Sequence, residues 1–430
     1  MTTPHYPPAV RQRHKSTGKR RRPPTTPGAS TSTTATSTTT TRTTAASSAR
    51  AVASPPVSGT GAAPSLGALI RARRAARRGK KPSTNMLAYE TQWIDNTVTL
   101  HQQLASGSWA PKPTTCFIAT APKAREIHAP DFSDRVVHHW LVPQLEAIFE
   151  PSFIHDSHSN RKGHGTHTAV ERLKAFARQV HSGQGGGYYL QLDIHNFFNS
   201  IHRPTLWGLL KPRLQRAGLP ERTQRIAHAL LRQSPQRHGV RHRSTQQQRT
   251  QVPLHKRLEN APPNCGLPIG NLSSQFFANV YLDALDQHCK RTLKIKRYIR
   301  YVDDLVIVHS NPHQLRAWRD QIELFIQQRL QLQLKADQRL QPLTNGIDFL
   351  GYIIYPTHTR VRRRVIAHAH NKLSTWAHHH ITASGCISAT PEQRAHIASV
   401  AHSYAGHFSH ANSHNLRADF RRRYPWLAQL

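Results

Sequence analysis

Acidic residues are scarce in this chain. Only 22 of its 430 residues are Asp or Glu, against 59 Lys or Arg, so the formal net charge is +37. No acidic residue precedes Glu90. So large an excess repels itself unless a polyanion is near, which makes nucleic acid the expected partner. Cysteine is sparse too. Cys116, Cys265, Cys289 and Cys386 lie far apart and form no C-x-x-C pair. That spacing argues against a zinc ribbon or a disulfide framework and fits a reducing, cytoplasmic compartment. No apolar run approaches membrane-spanning length, so no membrane partner is expected. The basic N-terminus is not followed by the apolar segment of a secretory signal.

Hydrophobic residues make up 37% of the chain, enough for a sizeable core. Its length suits one multi-lobed enzyme or two to three domains. Residues 1–65 are rich in Thr, Ser, Pro, Ala and Arg and cannot bury enough apolar area to offset the entropy of ordering, so they read as a disordered basic tail. Within it, Lys19-Arg20-Arg21-Arg22 fits RNA contact, an address signal or a merely solvated tail. A basic helix is expected from Leu69 to Lys81, and a second helix from Leu87 to Leu104 on the spacing of Leu87, Ile94, Val98, Leu100 and Leu104. Gly107 and Pro111 end that second helix. Two short strands, Cys116–Ile118 and Glu126–His128, flank a turn at Pro122-Lys123-Ala124-Arg125. Helices follow over Ser133–Phe149 and Thr166–Val180, then a strand over Tyr188–Ile194. Residues 234–263 are polar, His/Arg/Gln-rich and Pro-flanked, and read as a flexible insertion. His378-His379-His380 reads as a surface run, because consecutive helical residues point apart.

The carboxylates carry the chemistry. In a strand of period 2, Leu190, Leu192 and Ile194 share one face, leaving Gln191 and Asp193 on the other. Between Tyr298 and His309, apolar residues flank an abrupt Asp303-Asp304. Two short strands joined at a Val-Asp-Asp turn would hold both carboxylates at a hairpin tip. Singly, Asp193 reads as a strand-end cap and Asp303-Asp304 as an ordinary turn. Together they meet the needs of two-metal phosphoryl transfer, in which carboxylates hold ions about 3.5–4 Å apart. Magnesium, a hard ion taking oxygen ligands, suits such a set.

Four motifs in order then carry a resemblance. Asp193-Ile194-His195-Asn196-Phe197-Phe198 resembles the first catalytic motif of reverse transcriptases, and Tyr301-Val302-Asp303-Asp304 their metal-binding hairpin. Gly266-Leu267-Pro268-Ile269-Gly270-Asn271-Leu272-Ser273-Ser274-Gln275 is similar to the motif that opens the long palm helix. Asp348-Phe349-Leu350-Gly351-Tyr352 resembles the primer-grip strand. The resemblance spans roughly Leu66 to Leu430. It implies an α+β right-hand polymerase: N-terminal helices and fingers over 66–187, a palm of antiparallel sheet backed by helices over 188–355, with 234–263 inserted in it, and a helical thumb over 356–430. It further implies that Asp193 and Asp303 hold two Mg2+ ions, with Asp304 adjacent. Lys123 and Arg125 would contact the incoming triphosphate, Arg through its planar fork. Phe198 would be the ring that rejects a ribose 2′-OH, with Phe197 in the core. Gln275 would sit at the nucleotide, Ile269, Gly270 and Asn271 at the template, and Tyr301, Leu350 and Gly351 at template or primer. Asp134-Arg135 and Arg161-Lys162-Gly163 would serve structure and the template backbone. The family's lysine after the hairpin aligns with Asp337 or Gln338 here, leaving Lys335 and Arg339 as the basic candidates for protonating pyrophosphate.

Ile269-Gly270-Asn271 with Ser274-Gln275 resembles the enzymes of diversity-generating retroelements, as do Ser403-Tyr404-Ala405-Gly406-His407 and Ala411-Asn412-Ser413. That resemblance implies a template RNA, a primer and its cDNA, dNTPs and a small basic accessory protein as partners. Antiphage-defence and group II intron enzymes share much of the motif, so both stay open. A reading of another class is a non-catalytic RNA-binding protein that keeps the fold. About 80 residues follow Tyr352, room for a thumb but not for an added endonuclease.

Overall fold

The computed structural model describes residues 63–120 and 123–430. The expected tail lies outside the described residues except for 63–65. Helix α1 (Leu66–Arg77) starts at Ser65, whose Oγ accepts from the Ala68 amide, a standard N-cap arrangement. Leu69, Ala72 and Ala76 face inward, while Arg71, Arg74 and Arg78 face solvent. Arg73 is buried and pairs with Glu90.

The helix expected from Leu87 to Leu104 is two helices, α2 (Thr84–Thr91) and α3 (Trp93–Ser106). The chain breaks at Gln92 (φ −123°, ψ 46°), and Asn96 Nδ2 donates to the freed Tyr89 carbonyl at 3.0 Å. The apolar spacing misled here because Leu87 and Ile94 are 53% and 59% exposed. The inward positions are Met86, Tyr89, Thr97, Leu100 and Leu104. Gly107 (φ 82°) ends α3, as expected of a left-handed C-terminal glycine. The hairpin β1 (Thr114–Ala119) and β2 (Arg125–Ala129) precedes α4 (Phe132–Phe149) and α5 (Thr166–Gln184).

A four-stranded antiparallel sheet forms the centre. Its strands are β3 (Tyr188–Asp193), β5 (Tyr298–Tyr301), β6 (Asp304–His309) and β7 (Arg339–Pro342), in the order β5-β6-β3-β7. Between β3 and β5 come α6 (Phe197–Ser200), α7 (Arg203–Arg216), α8 (Glu221–Leu231), α9 (Pro235–His238), β4 (Val240–His242), α10 (Gln246–Thr250) and α11 (Leu272–Gln287). Helix α12 (Pro312–Leu330) lies between β6 and β7. The alternation in β3 sorts its residues as the pattern predicts. Leu190, Leu192 and Ile194 join Leu305, Ile307 and the helices α4, α7, α11 and α12 in one core. Tyr189, Val306 and Val308 join α5 in a second. Helix α11 is buried on nearly every side, the mark of a helix threaded through a core.

A second sheet, β8 (Ile347–Phe349), β9 (Tyr352–Ile354) and β10 (Thr359–Val361), is also antiparallel. It leads to α13 (Arg363–His380), α14 (Pro391–Ser409) and α15 (His414–Arg423), which share a separate apolar cluster with Val361.

The stretch 234–263 is not the flexible palm insertion its composition predicts. Strand β4 pairs in parallel with β1, forming the sheet β2-β1-β4. Ser244 Oγ accepts from the Ile118 amide at 2.8 Å, and the Leu258 amide donates to buried Glu126 at 2.9 Å. Val252 and Leu258 are buried. Two apolar anchors and main-chain bonds hold a stretch that its polar majority alone would leave in solvent.

Candidate active site

Three carboxylates meet at one end of the central sheet. The β3–β6 register sets Asp193 opposite Asp304, and the β5–β6 register pairs Tyr301 with Asp304, leaving Val302 and Asp303 as a two-residue hairpin tip. Val302 has φ 56°, costly for a β-branched residue. The positive φ falls on the first turn residue only, the sign pattern of a type II′ hairpin. Strain of this kind persists where surrounding structure enforces it.

Arg300 does the enforcing. Its Nη1 donates to the Val302 carbonyl at 3.0 Å, and Nη2 reaches Ser157 Oγ at 2.9 Å. Asp286 clamps the guanidinium through both oxygens at 2.6–3.0 Å, and Tyr298 OH donates to Asp286 at 2.7 Å. This buried network escaped the sequence reading. Its signal was a lone Arg in the apolar run Tyr298-Ile299-Arg300, of the same kind that singled out Asp193.

The carboxylates strain one another electrostatically. Burial, then the Asp193 charge, raises the Asp303 carboxyl above its usual range. Burial, then Asp303 and Asp193, pushes Asp304 up to about 7. Asp193 Oδ1 is buried with no hydrogen-bond partner, while its Oδ2 takes an ion pair from Lys335. Main-chain bonds put Lys335 there: the Lys335 amide donates to the Asp193 carbonyl, and the His195 amide to the Gln333 carbonyl, both at 2.8 Å. Arg339 instead pairs with exposed Asp337 at 3.5 Å. Mutual repulsion, an orphaned carboxylate oxygen and all-oxygen donors fit a divalent cation.

Around this cluster the other expected residues fall into two groups. Arg125 is exposed at the start of β2, and its charge offsets a small part of the upward shift that burial and Asp193 impose on Asp303. Lys123 is exposed in the same turn; Pro122 lies outside the described residues. After Asp193 the chain turns through left-handed Asn196 into α6, burying Phe197 and leaving Phe198 half-buried, with ring centroids 5.4 Å apart. Gln275 is exposed on α11 between buried Ser274 and Phe276.

The template residues divide. The His128 amide donates to the Ile269 carbonyl at 2.7 Å, locking that loop onto β2. Gly270 has φ 120°, and a Cβ there would stand 3.0 Å from the His128 carbonyl oxygen, so this approach requires glycine. Asn271 departs from its expected place at the template. It is 1% exposed, and its Nδ2 donates to Gln233 at 3.1 Å, so its side chain contacts protein rather than an outside strand. Tyr301 OH meets Thr166 Oγ1 at 3.3 Å. Leu350 (φ 50°) and Gly351 (φ 91°) form the tight β8–β9 turn. His407 stacks on Tyr352 at 4.2 Å, and Asn412 Oδ1 accepts from the Thr359 amide at 2.8 Å. The C-terminal motif thus seats on the β8–β10 sheet.

A family model described as reverse transcriptase (RNA-dependent DNA polymerase) matches residues 110–354. Group II intron-encoded protein LtrA of Lactococcus lactis subsp. cremoris is 24% identical over 308 residues, covering 61% of this chain and 49% of that protein. Protein YkfC of Escherichia coli (strain K12) is 22% identical over 291 residues, covering 59% of this chain and 69% of its own. The chain thus spans about half the length of the first of these relatives. Among solved structures, apo telomerase from Candida tropicalis truncated from its C-terminal domain overlaps with TM-score 0.42 and 9% identity, over 62% of this chain and 60% of that one. Among the described residues, no helix is long and apolar enough to cross a membrane.

Proposed function

The chain belongs to the reverse transcriptase family, with that family's α+β right-hand architecture, and from this premise we propose that it is an RNA-directed DNA polymerase. The observation that carries the reading is the register of Asp193 against Asp304, with Asp303 at the adjoining hairpin tip. Asp193 and Asp303 would hold two Mg2+ ions, Asp304 standing beside them. The ions, when bound, would lower the charge cost of joining a primer 3′-OH to the α-phosphate of a dNTP. The protein's own part is positioning and electrostatics. Arg125 and Lys123 neutralise the triphosphate, Phe198 excludes the ribose 2′-OH, and Ile269, Gly270 and Gln275 border the templating base. Leu350, Gly351 and Tyr301 support the primer end. Residues 66–187, with 234–263 laid on them, act as fingers, the central sheet as palm and 356–430 as thumb.

Asp303→Ala tests the site by primer extension on an RNA template. Loss of dNTP incorporation with retained RNA binding supports the reading. Activity that survives removes it, and RNA binding without any magnesium-dependent synthesis in the parent chain leaves a non-catalytic RNA-binding protein.

The subclass we propose is that of the diversity-generating retroelements, acting on a template RNA with a small basic accessory protein. Exposed Gln275 beside buried Ser274 supports it, since the variant side chain reaches the surface where a template base would stack. Sequencing the cDNA discriminates. Substitutions concentrated at template adenines support diversification, and a fixed or non-templated product points to antiphage defence.

A further inference from the structure

Away from the carboxylates, the sheet β2-β1-β4 buries a mixed set of metal-binding side chains. Cys116 lies opposite His128 in the β1–β2 register and beside His242 in the β1–β4 register. Laterally paired residues leave the same face of a sheet, and Glu126, two residues before His128, leaves it as well. Cys116, Glu126 and His128 are 1%, 6% and 3% exposed, and one ligand atom from each lies within 4.8 Å of the other two.

The spacing is that of ligands around one ion. His128 Nε2 stands 3.4 Å from Glu126 Oε2, long for a hydrogen bond to a carboxylate. Two ligand atoms about 2.0–2.1 Å from a tetrahedral ion stand roughly 3.3–3.4 Å apart. The far nitrogen of His128 meets Thr114 Oγ1 at 3.2 Å, the outer contact that orients a ligating imidazole. Charge points the same way. Glu126 is a buried carboxylate whose Oε2 accepts from the Leu258 amide and stands beside that histidine. A divalent ion held by a thiolate and a carboxylate sums to zero charge, which a buried site favours. Sulfur, nitrogen and oxygen donors together suit zinc rather than magnesium.

We propose that Cys116, Glu126 and His128 bind a zinc ion, that His242 supplies the fourth ligand, and that the ion fastens β4 to the β1–β2 hairpin. Strand β4 is the short edge of this sheet. It is three residues long, and both Arg241 and His242 are exposed. The His242 ring, free of the packed interior, closes the set by a side-chain rotation. This site is separate from the polymerase reading and stands or falls without it.

The test uses the full chain, stripped with a chelator and titrated with Zn2+ and with Co2+ as a spectroscopic probe. Bound Co2+ should show a thiolate-to-cobalt charge-transfer band that Zn2+ displaces and Cys116→Ser abolishes. The second group of close ligands, His155, Asp156 and His158, has no sulfur and cannot give that band. His242→Ala, at an exposed position, keeps the test decisive where Cys116→Ser does not fold. It should weaken Zn2+ binding about tenfold or more, with circular dichroism unchanged. No charge-transfer band in the full chain, or a band that persists in folded Cys116→Ser, overturns the site. Unchanged Zn2+ affinity in His242→Ala overturns the fastening of β4.

Discussion

Arg300 donates through Nη1 to the carbonyl oxygen of Val302 at 3.0 Å. The left-handed residue at the hairpin tip is therefore tied to a guanidinium that Asp286 holds from behind with both carboxylate oxygens. The position of Asp303, one residue on, rests on a buried ion pair.

Breaking that pair from either side should cost both stability and activity. Arg300→Leu or Asp286→Asn alone should each destabilise by about 3–5 kcal/mol, because each strands an uncompensated buried group. The double variant should lose clearly less than the sum. Urea denaturation of the four proteins measures the coupling, and additive losses would show the pair to be inert. Primer extension on the single variants should fall even where they stay folded.

Lys335 is the basic group that reaches Asp193. If it protonates the departing pyrophosphate, Lys335→Met should lower the single-turnover rate by about 10²-fold, within the usual span of general acid catalysis. Primer–template affinity should not change. Arg339→Ala serves as the control and should leave the rate intact. The reverse pattern would move the role to Arg339.

Phe198 stands half-buried beside the core ring of Phe197. Phe198→Ala should raise ribonucleotide incorporation relative to dNTPs in a competitive extension assay. Unchanged sugar discrimination would remove Phe198 from the role of excluding the ribose 2′-OH.

Asp134 makes stability depend on pH. Burial pushes its carboxyl from 3.8 up to about 7; its Oδ2 accepts from the Lys112 amide at 2.7 Å while Oδ1 has no partner. The folded pKa lies above the unfolded one, so between the two the folded state binds more protons. Stability therefore falls as pH rises from about 4 to about 7, and the penalty is complete above that. Asp134→Asn keeps an acceptor for Lys112 and removes the charge. It should match the parent near pH 4 and exceed it near pH 8, by at most about 4 kcal/mol. Equal midpoints at both pH values would contradict the assignment.

Much of the fold was legible because periodicity and burial agree in regular elements. The alternation of Leu190, Leu192 and Ile194 gave the apolar face of β3, and those three residues do share one core. The run from Tyr298 to His309 announced a hairpin with carboxylates at its tip. Legibility failed where packing overrode composition. Leu87 and Ile94 counted as core residues but face solvent, because Asn96 caps a break that the apolar spacing ignores. The polar stretch 234–263 read as loose, yet Val252, Leu258 and one short strand settle it against β1. Asn271 read as a template contact, yet its side chain turns inward to Gln233.

The sequence by itself singled out the candidate carboxylates, since charges set among apolar neighbours need a reason to be there. It determined the order of the motifs and the strand alternation that sends Asp193 to the face away from Leu190, Leu192 and Ile194. Only the tertiary structure decided which distant groups share a space: Arg300 with Asp286 and Val302, Lys335 with Asp193, and Cys116 with Glu126 and His128. The physical reason is that periodicity fixes the face from which a side chain leaves its own strand or helix. What it meets there depends on strand register and on which segments pack across that face, and neither is local to the sequence.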